Sequence, residues 1–227
     1  MAQICAPAGC VEFARFAKVD PCTGAAIPGA SNGYIVECIR NVTWNRNIEE
    51  GEKTILQTDC KKICWQNQEC DDLIDYTLNF ELLNPDYELQ ELLSSMPLIT
   101  DGGGDNIGIK DVTSVDCLPW ITTELFEQVP SDQCEAGYEV RRIVFPKLRF
   151  QIPENDKEGQ MRILSFQGTT SPSPTAGYAT GPFEDSPVDF STASADERSH
   201  KLEFFDTIDL STLSGNCGYI TVPTPAP

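Results

Sequence analysis

From Ile74 to Leu82 the chain alternates without an error: Ile74, Tyr76, Leu78, Phe80 and Leu82 are apolar, and Asp75, Thr77, Asn79 and Glu81 between them are polar. A period of two is the pattern of a strand with one face buried and the other wet. The pattern stops at Asn84-Pro85-Asp86-Tyr87-Glu88. Asn84 is placed to accept from free backbone N–H groups as a helix N-cap, and Pro85 at the first helical position forfeits no hydrogen bond. Asp86 and Glu88 oppose the positive end of the helix dipole. Leu89, Leu92, Leu93 and Met96 follow at helical spacing, and Pro97 with Gly102-Gly103-Gly104 ends the run. The spacing predicts a helix over 85–95, the one convincing helix of the chain.

Elsewhere the signals are those of strands. Residues 1–10 read as an extended arm. Val11 to Val19 reads as a strand closed by the turn Asp20-Pro21-Cys22-Thr23-Gly24. Tyr34 to Trp44 is strand-like, rich in Tyr, Ile, Val and Thr. Asn45 to Lys53 is polar and charged. It is expected to form a long projecting hairpin loop, with Glu49-Glu50-Gly51 at its tip and Thr54 to Trp65 as its returning arm. Trp120–Val129, Tyr138–Ile152 and Met161–Gln167 are further strands, and Pro146 marks a bend or an edge position in the second. From Gly168 to Ser199 the composition shifts to Ser, Thr, Pro, Gly and Ala, a long surface excursion. Leu202–Leu210 and Tyr219–Val222 are late strands, and Pro223 to Pro227 is a mobile tail. The expected organisation is an N-terminal arm (1–10), a core (11–167), the excursion (168–199), terminal strands (200–222) and a tail (223–227). Many strands and one helix imply a mainly β fold, a sandwich or barrel with an accessory helix.

Charge excludes one class of function. With 35 acidic against 16 basic residues the net charge is −19, and general phosphate binding needs clustered Lys and Arg instead. The longest apolar runs are a few residues, against the roughly 20 that a spanning helix needs. The first residues lack the basic and long apolar regions of a signal peptide, so the chain is expected to begin in the cytoplasm. Its ten cysteines are an even number, which permits complete pairing and suits an extracellular particle better than a reducing cell.

Little in the sequence suggests catalysis. The single histidine, His200, lies in a polar stretch and reads as a surface residue, which removes His-rich metal sites and makes a Ser-His-Asp triad hard to build. Cys60-x3-Cys64-x5-Cys70 admits a disulfide, a zinc knuckle or inert buried thiols. Asp101-Gly102-Gly103-Gly104-Asp105-Asn106 lacks the ligand pattern of an EF-hand and the Lys of a P-loop, and reads as a flexible connector. Acid pairs such as Glu49/Glu50 and Asp71/Asp72 are expected by chance in so acidic a chain. Arg141, Arg142, Lys147 and Arg149 form the one basic cluster. It is either a solvated face or a surface that meets acid from a neighbouring subunit. No cofactor is expected.

A succession of short pieces carries a resemblance. Arg15-Phe16-Ala17-Lys18-Val19-Asp20, Ile27-Pro28-Gly29-Ala30-Ser31-Asn32 and Glu49-Glu50-Gly51-Glu52 come first. Asp59-Cys60-Lys61-Lys62-Ile63-Cys64, Asn84-Pro85-Asp86-Tyr87-Glu88-Leu89 and Leu98-Ile99-Thr100-Asp101-Gly102-Gly103 follow. In order and approximate spacing these resemble the major tail tube proteins of long-tailed bacteriophages, most nearly those of phages infecting actinobacteria. The likeness spans roughly residues 12 to 170, and the cysteines and the excursion depart from it. The resemblance implies a β-sandwich or barrel-like core flanked by a helix and a projecting loop. It implies a structural, non-catalytic virion protein, assembled in the host cytoplasm as hexameric rings stacked into a hollow tube. Its partners would be its own copies and other tail proteins, such as the tape measure, terminator and distal tail proteins, while DNA passes through without specific binding. The loop Asn45, Arg46, Asn47, Ile48, Glu49, Glu50, Gly51, Glu52 and Lys53 would then reach the adjacent ring. Two other classes stand beside this reading: a disulfide-stabilised extracellular or virion-surface recognition module, and a carboxylate-pair hydrolase on a β scaffold.

Overall fold

The computed structural model describes residues 10–57, 63–68, 70–83, 86–110, 118–129, 140–151, 154–158, 161–172, 182–187, 200–215 and 217–224. At 53–57, 63–68, 154–158 and 161 it describes the backbone alone. The described strands begin with β1 (Val11–Val19), β2 (Gly29–Val36), β3 (Ile39–Glu49), β4 (Lys53–Gln57), β5 (Ile63–Gln68) and β6 (Asp72–Leu83). After α1 (Tyr87–Ser94) come β7 (Leu98–Thr100), β8 (Asn106–Ile109), β9 (Trp120–Gln128), β10 (Val140–Phe150), β11 (Glu154–Glu158) and β12 (Met161–Thr170). The last are β13 (Leu202–Asp206), a 3-10 turn (Leu210–Thr212) and β14 (Gly218–Val222). The fold is mainly β, as the sequence predicts.

Ten strands make one antiparallel sheet in the order β14-β2-β1-β9-β10-β12-β6-β3, with β11 beside β12 and β13 beside β10. The sheet curls over its own apolar face. Phe16 on β1 meets Phe80 on β6 at 5.6 Å between ring centroids, although β9, β10 and β12 separate those strands in the sheet. Phe166 stacks on Phe80 at 5.0 Å, and Phe150 meets both edge-on, the two arrangements that the ring quadrupole favours. Gly168 lets β12 come this close to β10, because a Cβ there would lie 2.6 Å from the Phe150 ring.

Pro146 is where the sheet divides. Before it, Val140–Val144 pairs with β13; after it, Leu148–Phe150 pairs with β12. The register against β9 shifts between Phe145 and Leu148. A residue without an N–H fits the point where a strand changes partner.

The alternation in β6 is realised from Tyr76 to Leu82, whose even members are all buried. Leu89, Leu92 and Leu93 of α1 are likewise buried in the same core, and Met96, just past the helix, is buried too. The helix begins later than expected, and Asn84 and Pro85 fall outside the described residues. Asp86 holds the N-cap position without making a cap bond, because its carboxylate accepts from the Tyr34 hydroxyl at 3.0 Å. Ser95, in the left-handed region at φ 57°, closes the helix by donating its N–H to Glu91 O at 2.7 Å.

Three expectations need correction. Tyr34–Trp44 is not one strand: β2 ends at Val36 and β3 starts at Ile39, across a left-handed Cys38 at φ 58°. Glycine or asparagine, the usual markers of such a turn, is absent there. Nor does the hairpin turn at Glu49-Glu50-Gly51. Asn45–Glu49 belongs to β3 and pairs with β6, and the link between β4 and β5 falls at 58–62, outside the described residues. The excursion also starts later, because β12 runs to Thr170. Leu92→Ala, which empties a site with no solvent exposure, is expected to cost about 2–5 kcal/mol in chemical denaturation. An unchanged midpoint would show that the helix is not packed on the sheet.

Candidate functional site

The pairing of β3 with β6 outlasts the core. Trp44 faces Leu78 and Arg46 faces Tyr76, the last buried residue of the stripe; Asn47 then faces Asp75, Ile48 faces Leu73 and Glu49 faces Asp72. Ile48, Leu73 and Ile74 are 48, 41 and 52 % exposed, three large apolar side chains around an irregularity in the register. Polar contacts brace this segment. Arg46 Nε donates to Tyr76 Oη at 2.9 Å, Asn47 Nδ2 donates to Thr77 Oγ1 at 2.9 Å and to Asp75, and Gly51 N donates to Asp71 Oδ1 at 3.0 Å. The same register carries on: Lys53 of β4 faces Gln68 of β5, four residues beyond Glu49 and Asp72 on each strand. Two strands therefore leave the core as an arm. Of the nine residues expected in the loop, Asn45 to Glu49 lie on the arm's first half, Glu50 to Glu52 bridge its halves, and Lys53 opens β4.

The back of the sheet holds a buried ion network that sequence reasoning missed. Arg15, Glu124 and Arg142 stand on the adjacent strands β1, β9 and β10, Arg15 directly opposite Glu124. Arg15 Nε donates to Glu124 Oε2 at 2.9 Å, and Arg142 Nη2 donates to Glu124 Oε1 at 2.5 Å. Asp185, from within the Ser/Pro/Thr-rich stretch, accepts from Arg15 at 2.7 and 2.9 Å and from Arg142 at 2.8 Å. Asp206 on β13 accepts from Arg142 Nη1 at 3.1 Å. Phe183 covers the Arg15 guanidinium at 4.3 Å, and Phe126 lies under both arginines. Burial alone would pull the Arg142 pKa down, but Glu124 and Asp185 hold it above its ordinary value. Burial pushes the Asp185 carboxyl up, and the bonds and charge of Arg15, with the charge of Arg142, bring it below the usual range.

The basic cluster is thus spent largely within the chain. Arg141 bonds Glu127 at 3.0 Å and also Glu203, and Arg142 lies in the network. Lys147 Nζ donates to Pro21 O at 2.8 Å over the Trp120 ring, and Arg149, the one exposed member, stacks on Trp120 at 4.3 Å. The acids that meet Arg141 and Arg142 are the chain's own. Of the cysteine group, Cys60 lies outside the described residues, Cys64 is described by backbone alone, and Cys70 is an exposed free thiol. The glycine-rich stretch is a closed turn between β7 and β8, where Asp101 Oδ1 accepts the N–H of Gly103 at 2.8 Å and of Asp105 at 2.9 Å. Among the described residues no group of three or more His, Cys, Asp or Glu is placed to hold a metal ion. No described helix is long and apolar enough to cross a membrane.

His200 is buried, not on the surface. Its Nδ1 lies 2.9 Å from Thr170 Oγ1, which also accepts the Tyr76 N–H at 2.8 Å. The threonine hydroxyl hydrogen is then free for Nδ1, which fits a neutral ring. Burial lowers the His200 pKa from 6.5, with Asp75 pulling weakly the other way.

No family model matches this chain, and no curated protein matches it either.

Two outcomes follow from the buried groups. Arg142→Met leaves three buried or half-buried carboxylates short of a cation and is expected to cost about 3–5 kcal/mol in urea denaturation. A loss below 1 kcal/mol would mean that the network relaxes into solvent. His200 binds a proton more readily unfolded than folded, so its contribution is present above pH 6.5 and lost as pH falls through the lower folded value. His200→Gln should therefore flatten the decline of the melting temperature just below pH 6.5. An identical decline in both proteins would assign it to other groups.

Proposed function

We propose that this chain is the repeating structural subunit of a phage-type tail tube, in which hexameric rings stack into a conduit for genome delivery. The arm is the observation that carries the reading. It prolongs β3 and β6 beyond the last core residue and exposes Ile48, Leu73 and Ile74, as a contact to a further copy requires. A curled antiparallel sheet with one packed helix is compatible with the sandwich or barrel-like body that the resemblance implies. The contact between rings falls on Asn45 to Glu49 and the apolar trio, with Arg46, Glu49 and Glu50 setting register by charge. A ring of six copies carries six times a net charge of −19, so a lumen bearing a share of it would let DNA slide without sticking. No catalysis belongs to this reading. The partners are other copies and the tail proteins at either end, and the place of action is the virion tail.

Negative-stain micrographs of the concentrated, purified protein are expected to show rings or tubes. Persistently monodisperse single copies would overturn the assignment. A double variant, Ile48→Asp with Ile74→Asp, removes exposed apolar surface and no core contact. It should keep the wild-type melting temperature and abolish tube growth. Tubes of wild-type length would move the stacking contact away from the arm.

A further inference from the structure

Two exposed thiols lie at one corner of the fold. Cys38 occupies the turn between β2 and β3, and Cys217 immediately precedes β14. β14 lies along β2 with Gly218 facing Ile35 and Tyr219 facing Tyr34, which carries Cys217 to the level of Val36, two residues from Cys38. The approach is fastened. Gly215 N donates to Glu37 Oε1 at 2.7 Å, and the Glu37 backbone N–H is directed at the Cys217 sulfur. On the other side Leu83 N donates to Cys38 O at 3.1 Å, so the turn carrying Cys38 is itself anchored. Burial pushes the Cys217 thiol up, the Glu37 N–H works against it, and the Glu37 carboxylate and the Cys38 thiol add to the rise; the two sulfurs are within electrostatic reach of each other. Cys38 also holds a left-handed backbone at φ 58°, a conformation that glycine adopts at less cost. A cysteine at such a place has a reason if its sulfur is used.

We propose that Cys38 and Cys217 are a disulfide-forming pair, which closes on leaving a reducing compartment and locks the last strand of the sheet onto the β2–β3 turn. Neither cysteine belongs to the Cys60/Cys64/Cys70 group, and the inference is independent of the tail-tube reading. Closure proceeds by exchange with a small-molecule disulfide. One cysteine thiolate attacks a sulfur of that disulfide, forming a mixed disulfide and releasing one small thiolate. The second cysteine thiolate then attacks the protein-side sulfur and releases the other. The two cysteines are oxidised, the small disulfide is reduced, and the two thiol protons pass to the two released thiolates. The lock acts on more than a strand end. Tyr219 of β14 packs on Tyr34 at 5.7 Å and bonds Glu91 of α1 at 2.7 Å, so holding β14 also holds the helix against the sheet. Residues 38 and 217 enclose most of the chain, the long-loop case in which a crosslink restrains the unfolded state most.

The test uses the full chain, incubated with oxidised glutathione, alkylated, and digested without reduction. The expected product is a peptide pair joining Cys38 to Cys217. Cys38→Ser should leave Cys217 alkylated, and Cys217→Ser should leave Cys38 alkylated. Each variant should lower the melting temperature of the oxidised protein by about 5–15 °C, and the double variant no further. Recovery of Cys38 and Cys217 as alkylated thiols from the oxidised wild-type protein would overturn the proposal. So would finding either one joined to a different cysteine.

Discussion

The Glu124 carboxylate, buried between two guanidinium groups, governs how the back of the sheet is built. A charge removed from water costs several kcal/mol unless its partners are close and well directed. Arg15 and Arg142 are almost wholly excluded from solvent, so each must find acids on the protein side. β9 supplies Glu124 between them, and two further acids come from outside the three central strands: Asp206 on β13, and Asp185 in the stretch that composition marks as a surface excursion. The network therefore dictates tertiary structure. Residues 182–187 cannot lie free, because Asp185 neutralises both arginines while Phe183 closes the lid over one of them. Two cations and three anions leave this site with one surplus negative charge, and the ring faces of Phe126, Phe183 and Phe204 add their own attraction to the two guanidinium groups.

With both faces covered, β1, β9 and β10 form the middle of the molecule. One face gives Phe16, Leu125, Ile143, Phe145 and Phe150 to the apolar core, and the other gives Arg15, Glu124 and Arg142 to the network. Pro146 then lets β10 serve two neighbours in turn, β13 over the charged back and β12 over the aromatic front. A single strand thus joins both halves of the structure. The point at which it changes partner is the one residue that has no N–H to leave unpaired.

This two-sided burial explains which elements could be read from sequence. β6 is wet on one face, so its alternation was visible, and the amphipathic α1 showed its stripe equally well. β1 is buried on both faces, so it shows no alternation and nothing local marks its Arg15 as buried. The break at Cys38 was hidden because the left-handed position holds neither glycine nor asparagine. The cap is expected at Asn84, whereas the N-cap position falls at Asp86, whose carboxylate is engaged by Tyr34, 52 residues away in sequence. His200 misled for the same kind of reason: its neighbours Ser199 and Lys201 are polar, and its burial depends on Thr170, 30 residues away. Of the candidate residues, the polar run from Asn45 was correctly placed away from the core. Its strand character was not legible, since Asn, Arg and Glu are poor strand formers and only the facing residues of β6 recruit them.

The arm is the part of the chain whose own contacts least explain its length. β3 ends the sheet order, so one of its edges has no neighbouring strand among the described residues, and beyond Thr77, where β12 stops pairing with β6, the ribbon narrows to two strands. Two strands alone are marginal in water, whereas a third strand or an apolar surface makes them stable. At the arm's root the alternation that buries Tyr76 to Leu82 continues one step to Ile74, which is left exposed. Asn45, Arg46, Asn47 and Glu49 on the facing strand β3 keep the edge from pairing indiscriminately, because charged edges resist strand addition. Apolar anchors beside a charged, register-setting edge suit a contact that forms with one orientation only. In the proposed tube a neighbouring copy supplies that contact, and the arm's order then depends on assembly instead of on the monomer's core.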